Sequence, residues 1–280
     1  ELTGNGGHAS SLVLTTGLLT NAEDGVIRTL AGNAGGGRTL DAEFDNQGTI
    51  ELIDSSLRIG LRQTASRTGV SESSGTISVA GGDLSLERLE GTLTSFTNTG
   101  TIDVHTGRTF TIVGSTFHQE SGIFQGGGTL SLSSSIAEFA TSLSTANAAL
   151  VLTNSALNGT GTVTNVVGRS LRLDSSTIAA PLINQGEMVV RGTSAISGSF
   201  VNEADAMLRL LGVPNFGTAT LTVAQSFTNH GEIELTGNGG HASSLVLTTG
   251  LLTNAEDGVI RTLAGNAGGG RTLDAEFDNQ

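Results

Sequence analysis

Between Phe96 and Val104 the chain reads FTNTGTIDV. Phe96, Ile102 and Val104 are apolar, while Thr101 and Asp103 between the last three are polar. Period-two alternation of this kind belongs to a β-strand with one buried face. Asn98 and Gly100 interrupt it, and both residue types take up turn conformations readily. The pattern returns as FDNQGTIEL at 44–52 and FTNHGEIEL at 227–235, with LINQGEMVV at 182–190 as a variant. LTNAEDGVIRT at 19–29 and FVNEADAMLRL at 200–210 carry two extra residues, and VSESSGTISV at 70–79, FHQESGIF at 117–124 and LNGTGTV at 157–163 are weaker copies. With Phe139 as one more, the leading apolar residues fall at 19, 44, 70, 96, 117, 139, 157, 182, 200, 227, 252 and 277. The steps run from 18 to 27 residues and average close to 23.

One strand per copy cannot bury its own apolar face. Parallel stacking about 4.8 Å apart merges all the faces into one core. The expected fold is therefore all-β: a right-handed parallel β-helix, or β-solenoid, of about 12 coils with about 23 residues each, continuous over 1–280. The pieces GRTL at 37–40, GRTF at 107–110 and GRSL at 168–171 read as turns that feed a new strand, with arginine pointing to water. Two or three short strands per coil follow. Only 2 prolines occur, as a sheet requires, since proline removes a ladder donor.

A longer period overlies the short one. Residues 1–47 are identical to 234–280, an offset of 233. Residues 1–233 thus form one full sequence repeat, and 234–280 begin the next. Such self-similarity marks a repeat architecture. Adjacent identical repeats of the same chain are expected to continue the helix end to end, without cap or hinge.

Composition removes several alternatives. Net charge is −13 with all 13 basic residues arginine and scattered, so the counterion release that nucleic-acid binding needs has no source. Cysteine is absent, which excludes disulfides and thiolate metal sites. No apolar run approaches the roughly 18–20 residues that span a bilayer, so this segment is not expected to insert in a membrane. Immunoglobulin-like sandwiches favour a core Trp or Tyr, and neither is present. Enzymatic activity is not expected, because the aromatic platforms of a sugar-processing groove are missing. His8, His105, His118, His230 and His241 show no paired metal-binding spacing. No cofactor is expected; Glu23, Asp24 and Asp41, Glu43, Asp45 read either as a solvated acidic face or as oxygen ligands for Ca²⁺.

Two columns stand out once the copies are stacked. The outward residue of each strand gives Glu1, Arg28, Glu51, Ser78 and Asp103 in one run, and Arg209, Glu234 and Arg261 in another. Opposed unlike charges favour strand pairing, so this ladder is expected to fix register, also across repeat junctions. Asn21, Asn46, Asn98, Asn184, Asn202 and Asn229 occupy one turn position, where stacked amides pass hydrogen bonds from coil to coil.

The F-x-N-x-G-x-I-x-V motif of Phe96, Asn98, Gly100, Ile102 and Val104 resembles the repeats of giant bacterial exoproteins, namely autotransporter passengers and filamentous-haemagglutinin-like adhesins. The resemblance covers most of the chain and transfers no catalytic residues. It implies an extracellular β-helix at the bacterial cell surface, working as a structural fibre or stalk. The alternative is an adhesin whose own surface binds a glycan or protein ligand, for which TGNGGHASS at 3–11 is the best candidate loop. Other fibres or cell-surface ligands are the further partners it allows.

Overall fold

The computed structural model describes residues 1–33 and 36–280; Ala34 and Gly35, inside the glycine-rich stretch after Ala31, lie outside the described residues. The described residues are all-β without a helix, in parallel strands wound as solenoid coils, about 11 of about 24 residues. By compactness the chain divides into Glu1–Thr141 and Ser142–Gln280, a division that does not follow the sequence repeat.

In the first unit the strands Val26–Thr29, Thr49–Leu52, Thr76–Val79, Thr101–Val104 and Ile123–Gln125 form one parallel sheet. Their register stacks Ile27, Ile50, Ile77, Ile102 and Phe124 in a row. Ile50, Ile77 and Ile102 are fully buried, so the alternation seen in the sequence points inward at every layer. A second row runs through Leu40, Ile59, Leu86, Ile112 and Leu132. The third contains Ser71, Phe96, Phe117 and Ala137. Ser71 leaves space in that row, and the rings of Phe44 and Phe96 stack over it with centroids 5.7 Å apart. Three short strands per coil thus enclose one aliphatic interior.

The second unit repeats the plan. Leu143, Val163, Leu182 and Phe200 form one row, and Phe227, Leu252 and Phe277 another run of the same kind. Leu171, Met188, Leu208, Ile233 and Ile260 line a second face. Ile178, Ile196, Val223 and Leu247 line the third.

Three of the expected marker residues lie elsewhere. Val70 faces outward, because it pairs with Ser95 while Ser71 pairs with Phe96. Phe139 pairs with Gln119, and the partner of Phe117 is Ala137. Leu157 pairs with Ile178, whereas Val163 joins Leu182. Val70 is one residue out of phase, and such a slip exchanges inside for outside; Phe139 and Leu157 stay buried and differ only in the strand position that pairs with them.

The glycine–arginine turns also differ from expectation. Arg38 does not point to water but occupies an inward position between Ser10 and Leu57 and is buried. Its guanidinium donates to the carbonyls of Leu30, Ala31 and Gly36 at 2.6–2.9 Å. Arg108 donates to Ala80 O at 3.0 Å and Arg169 to Thr145 O at 2.8 Å. Turn carbonyls that face inward have no strand partner, and the five-donor guanidinium fork satisfies several at once.

The packing makes a direct prediction. Ile77→Ala removes atoms from the middle of a filled row and should cost about 2–5 kcal/mol. Thr76→Ala, on the outward side of the same strand, should stay within about 0.5 kcal/mol. Urea unfolding of the two variants measures the difference.

Candidate functional site

Outward side chains on neighbouring strands lie one coil apart, so unlike charges there meet directly. Arg28 Nε donates to Glu51 Oε1 at 2.6 Å, and Glu1 lies 3.8 Å from the same guanidinium. Glu51 faces Ser78, which faces Asp103, and Asp103 accepts from Gln125 Nε2 at 3.2 Å. In the second unit Arg209 donates to Glu234 and to Glu187, both at 2.8 Å. Arg261 Nη2 donates to Glu234 at 2.9 Å and lies 2.5 Å from Glu232. The structure therefore gathers Glu1, Arg28 and Glu51 in one group and Arg209, Glu234 and Arg261 in another, while Ser78 separates Asp103 from Glu51. Glu187 and Glu232 were not singled out in the sequence, because each sits two residues before the ladder position of its own strand. Exposed pairs such as Glu1–Arg28 contribute about 0.2–1 kcal/mol apiece, whereas Glu234 is buried, so that loss of its arginine partners would leave an uncompensated charge.

The asparagines lie inside. Asn46, Asn98, Asn184, Asn202 and Asn229 are completely buried, and Asn21 nearly so. In the second unit Asn165 Nδ2 donates to Asn184 Oδ1 at 2.7 Å, Asn184 to Asn202 at 2.8 Å and Asn202 to Asn229 at 2.7 Å. Asn229 continues to Asn254 at 2.7 Å and Asn254 to Asn279 at 2.9 Å. The other Nδ2 hydrogen reaches the carbonyl of the first residue of a following strand: Glu187 O from Asn165 at 3.0 Å and Met207 O from Asn184 at 3.2 Å. In the first unit Asn21 donates to Asn46 at 2.7 Å, Asn46 to Ser73 Oγ at 3.0 Å and Asn98 to Gln119 Oε1 at 3.0 Å. This row is less complete. Asn98 Oδ1 and Gln119 Nε2 have no protein partner, and Phe139 fills the position after Gln119. Asn165 was missed because its copy was phased on Leu157; Asn254 and Asn279 follow from the repeat itself.

The acidic clusters have separate fates. Asp41 faces Gly60, which leaves room for two arginines: Arg62 Nε donates to Asp41 at 2.9 Å and Arg67 Nη1 at 2.7 Å. Glu43 accepts from Thr68 Oγ1 at 2.7 Å and from Gly69 N at 2.6 Å. Both carboxylates thus clamp the antiparallel excursion that Gln63–Thr68 and Thr64–Arg67 pairing forms on the solenoid. Burial pushes the Asp41 carboxyl up, but the hydrogen bonds and charges of Arg67 and Arg62 outweigh it and hold it below the usual range. The Asp41 hydrogen bond in turn raises Arg62. Asp45 lies opposite Glu72 and lines, with Glu23, Gln47, Ser74 and Thr99, a polar cleft of about 440 Å³. Among the described residues no three His, Asp or Glu side chains converge in a metal-holding group.

In the second unit Asp174 is buried and takes a bidentate contact from Arg191 at 2.6 Å plus Arg172 Nε at 3.0 Å. The Arg191 guanidinium lies 4.5 Å from the centroid of Phe216. The glycine-rich loop at 3–11 is held at its tip by Asn33 Oδ1, which accepts from Gly6 N at 2.9 Å, and its copy by Asn266 and Gly239 at 2.8 Å. Comparison of the chain with protein-family models, with curated proteins and with solved structures returns no match.

Two measurements follow. Asn184→Ala strands the amide hydrogen of Asn165 and the oxygen of Asn202, and should cost about 1–3 kcal/mol for each buried group left unpaired. Asn98→Ala, in a row that already has gaps, should cost less, as urea midpoints will report. For Asp41 the folded pKa is depressed, so its contribution is complete above the ordinary value of about 3.9 and is lost as pH falls through the lower folded value. The stability advantage of the parent over Asp41→Asn should accordingly be constant at neutral pH and shrink in acid below about pH 4. Tryptic cleavage after Arg62 and Arg67 at pH 7 should be faster in the variant.

Proposed function

We propose that the chain is a structural repeat segment of a large secreted or cell-surface fibre or stalk, which serves as a stiff extracellular rod for attachment or cell–cell linkage. The observation that carries this reading is that the duplicated 47 residues adopt one coil geometry twice. Ser10 pairs with Arg38 and Asn21 with Asn46 in the first copy; Ser243 pairs with Arg271 and Asn254 with Asn279 in the second. Even the register shift recurs, between Val13 and Leu18 and between Val246 and Leu251. A coil that contacts only its neighbours can be added or copied without redesign of a global core. Length then becomes a property set by repeat number, which is what a spacer or fibre uses. A net charge of −13 keeps such a rod from self-associating non-specifically. The bacterial cell surface is the location that the motif resemblance favours.

The adhesin reading has one observation in its favour. In the second unit the turns around Gly168, Gly186 and Asp205 enclose a cleft of about 580 Å³, where exposed Val167 lies beside Arg169, Glu187 and Arg209. Apolar surface next to paired charges is what a sugar or peptide ligand would use.

Rod length decides the structural reading. Polypeptides of one, two and three 233-residue units should lengthen by equal steps of about 48 Å, for ten coils at the interstrand spacing. Small-angle scattering that shows flexibly jointed beads instead would overturn it.

A further inference from the structure

The strand Arg38–Asn46 runs straight through a corner at which both neighbouring coils bend away from it. On one side its pairing shifts register between Val13 and Leu18. On the other it pairs through Asp41 with Gly60 and resumes at Asp45 with Glu72. Between those points the chain leaves the sheet as the antiparallel excursion closed by the Gln63–Thr68 pair. A pocket of about 360 Å³ opens between the two bends, lined by Thr15, Asp41, Arg62, Thr64, Ser66 and Arg67 among others. The first bend does not depend on what lies upstream. Its copy, between Val246 and Leu251, keeps the same register shift and an exposed Thr248 although the strand Ala219–Val223 is paired to it.

Arg67 is the unusual member of this lining. Its side chain is only 3% exposed, and Nη1 donates to Asp41 Oδ1 at 2.7 Å. Nε and Nη2 are buried as well, yet they have no acceptor among the described residues. Those two nitrogens form the edge of the guanidinium whose N–H bonds run parallel, and that edge takes a two-oxygen anion in bidentate fashion. The other carboxylates around it are engaged elsewhere. Glu43 accepts from Thr68 Oγ1 and Gly69 N, and Glu90 lies 3.3 Å from Arg62 at the exposed rim. Within the pocket, Arg62 and Arg67 face Asp41 alone, which leaves an excess of positive charge. Buried charged donors without an acceptor are costly, and native structures seldom keep them so.

We propose that this pocket binds the carboxylate group of a small ligand through the Nε–Nη2 edge of Arg67. Asp41 fixes the guanidinium through Nη1, so the donor edge is set before the ligand arrives and little ordering is left to be done on binding. The hydroxyls of Thr64 and Ser66 belong to the same lining and supply hydrogen bonds to a polar ligand body. The volume lies near the small end of ligand pockets, about 300–1,000 Å³, and suits a single sugar ring or amino acid. An acidic sugar and an amino acid present the same carboxylate chemistry. The site is distinct from the cleft beside Val167. It goes beyond the rod reading, which rod length tests separately and which its failure would leave untouched.

Calorimetric titration of the 280-residue chain with sodium glucuronate, N-acetylalanine, glucose and sodium sulfate tests the assignment. At least one of the two carboxylates should bind at one site per chain, and the tighter of them identifies the body that carries the group. Glucose should not bind. Glucose bound as tightly as glucuronate, sulfate bound more tightly than both carboxylates, or no binding of either carboxylate would overturn the proposal. Arg67→Lys keeps a positive charge opposite Asp41 but has no parallel donor edge, and should weaken binding about tenfold or more. Ser66→Phe places a ring on an exposed residue of the lining. It should block the pocket, and it keeps the test in force if Arg67→Lys does not fold. Thr76→Ala, in the other sheet of the same unit, should bind like the parent. Unchanged affinity in a folded Arg67→Lys or Ser66→Phe variant would count against the site.

Discussion

Everything in this molecule depends on parallel hydrogen bonding between successive coils at a fixed spacing. Once the backbone of one coil is paired with the next in register, each side chain stands directly over its counterpart. Every column must then tolerate its own repetition. Aliphatic residues do so by packing, as Ile50, Ile77 and Ile102 show. Asparagine does so by donating to the next amide, and outward charges by alternating in sign. The constraint therefore operates column by column. It selects different chemistry for the interior, the corner and the surface.

The same constraint explains why glycine occupies the corners and why Arg38, Arg108 and Arg169 follow it there. At Gly75, Gly81 and Gly100 an added Cβ would fall within 2.0 Å of a carbonyl oxygen or closer. The backbones of adjacent turns approach too tightly there for any side chain. The carbonyls that such turns leave unpaired are then collected by Arg38 and Arg169, in a manner a lysine ammonium could not reproduce with one fork. Absence of lysine from the whole sequence agrees with that division of labour.

Much of this was legible before any coordinates. Alternation around Phe96–Val104 identified strand, turn and inward face, and the marker spacing identified a coil. Legibility failed where a copy was weak. Ser71 as the occupant of a phenylalanine position has no local signature, since the compensation comes from Phe44 and Phe96 leaning across it from neighbouring coils. Arg38 looked like a solvent residue because the carbonyls it serves are made by turns up to eight residues away. The role of Asp41 was equally hidden. It depends on Arg62 and Arg67, brought back by a hairpin that sequence periodicity does not announce.

The buried amide row of the second unit has a sense of direction. From Asn165 to Asn279 each side chain donates toward the C-terminal neighbour and accepts from the N-terminal one. Rotating a single amide by half a turn would set two NH₂ groups against each other on one side and two oxygens on the other. No member can reverse alone, so the row behaves as one vector whose bond dipoles add along the solenoid, much as peptide dipoles add along an α-helix. A coil stack with nearly interchangeable layers thereby acquires an electrical polarity that its aliphatic rows could never supply.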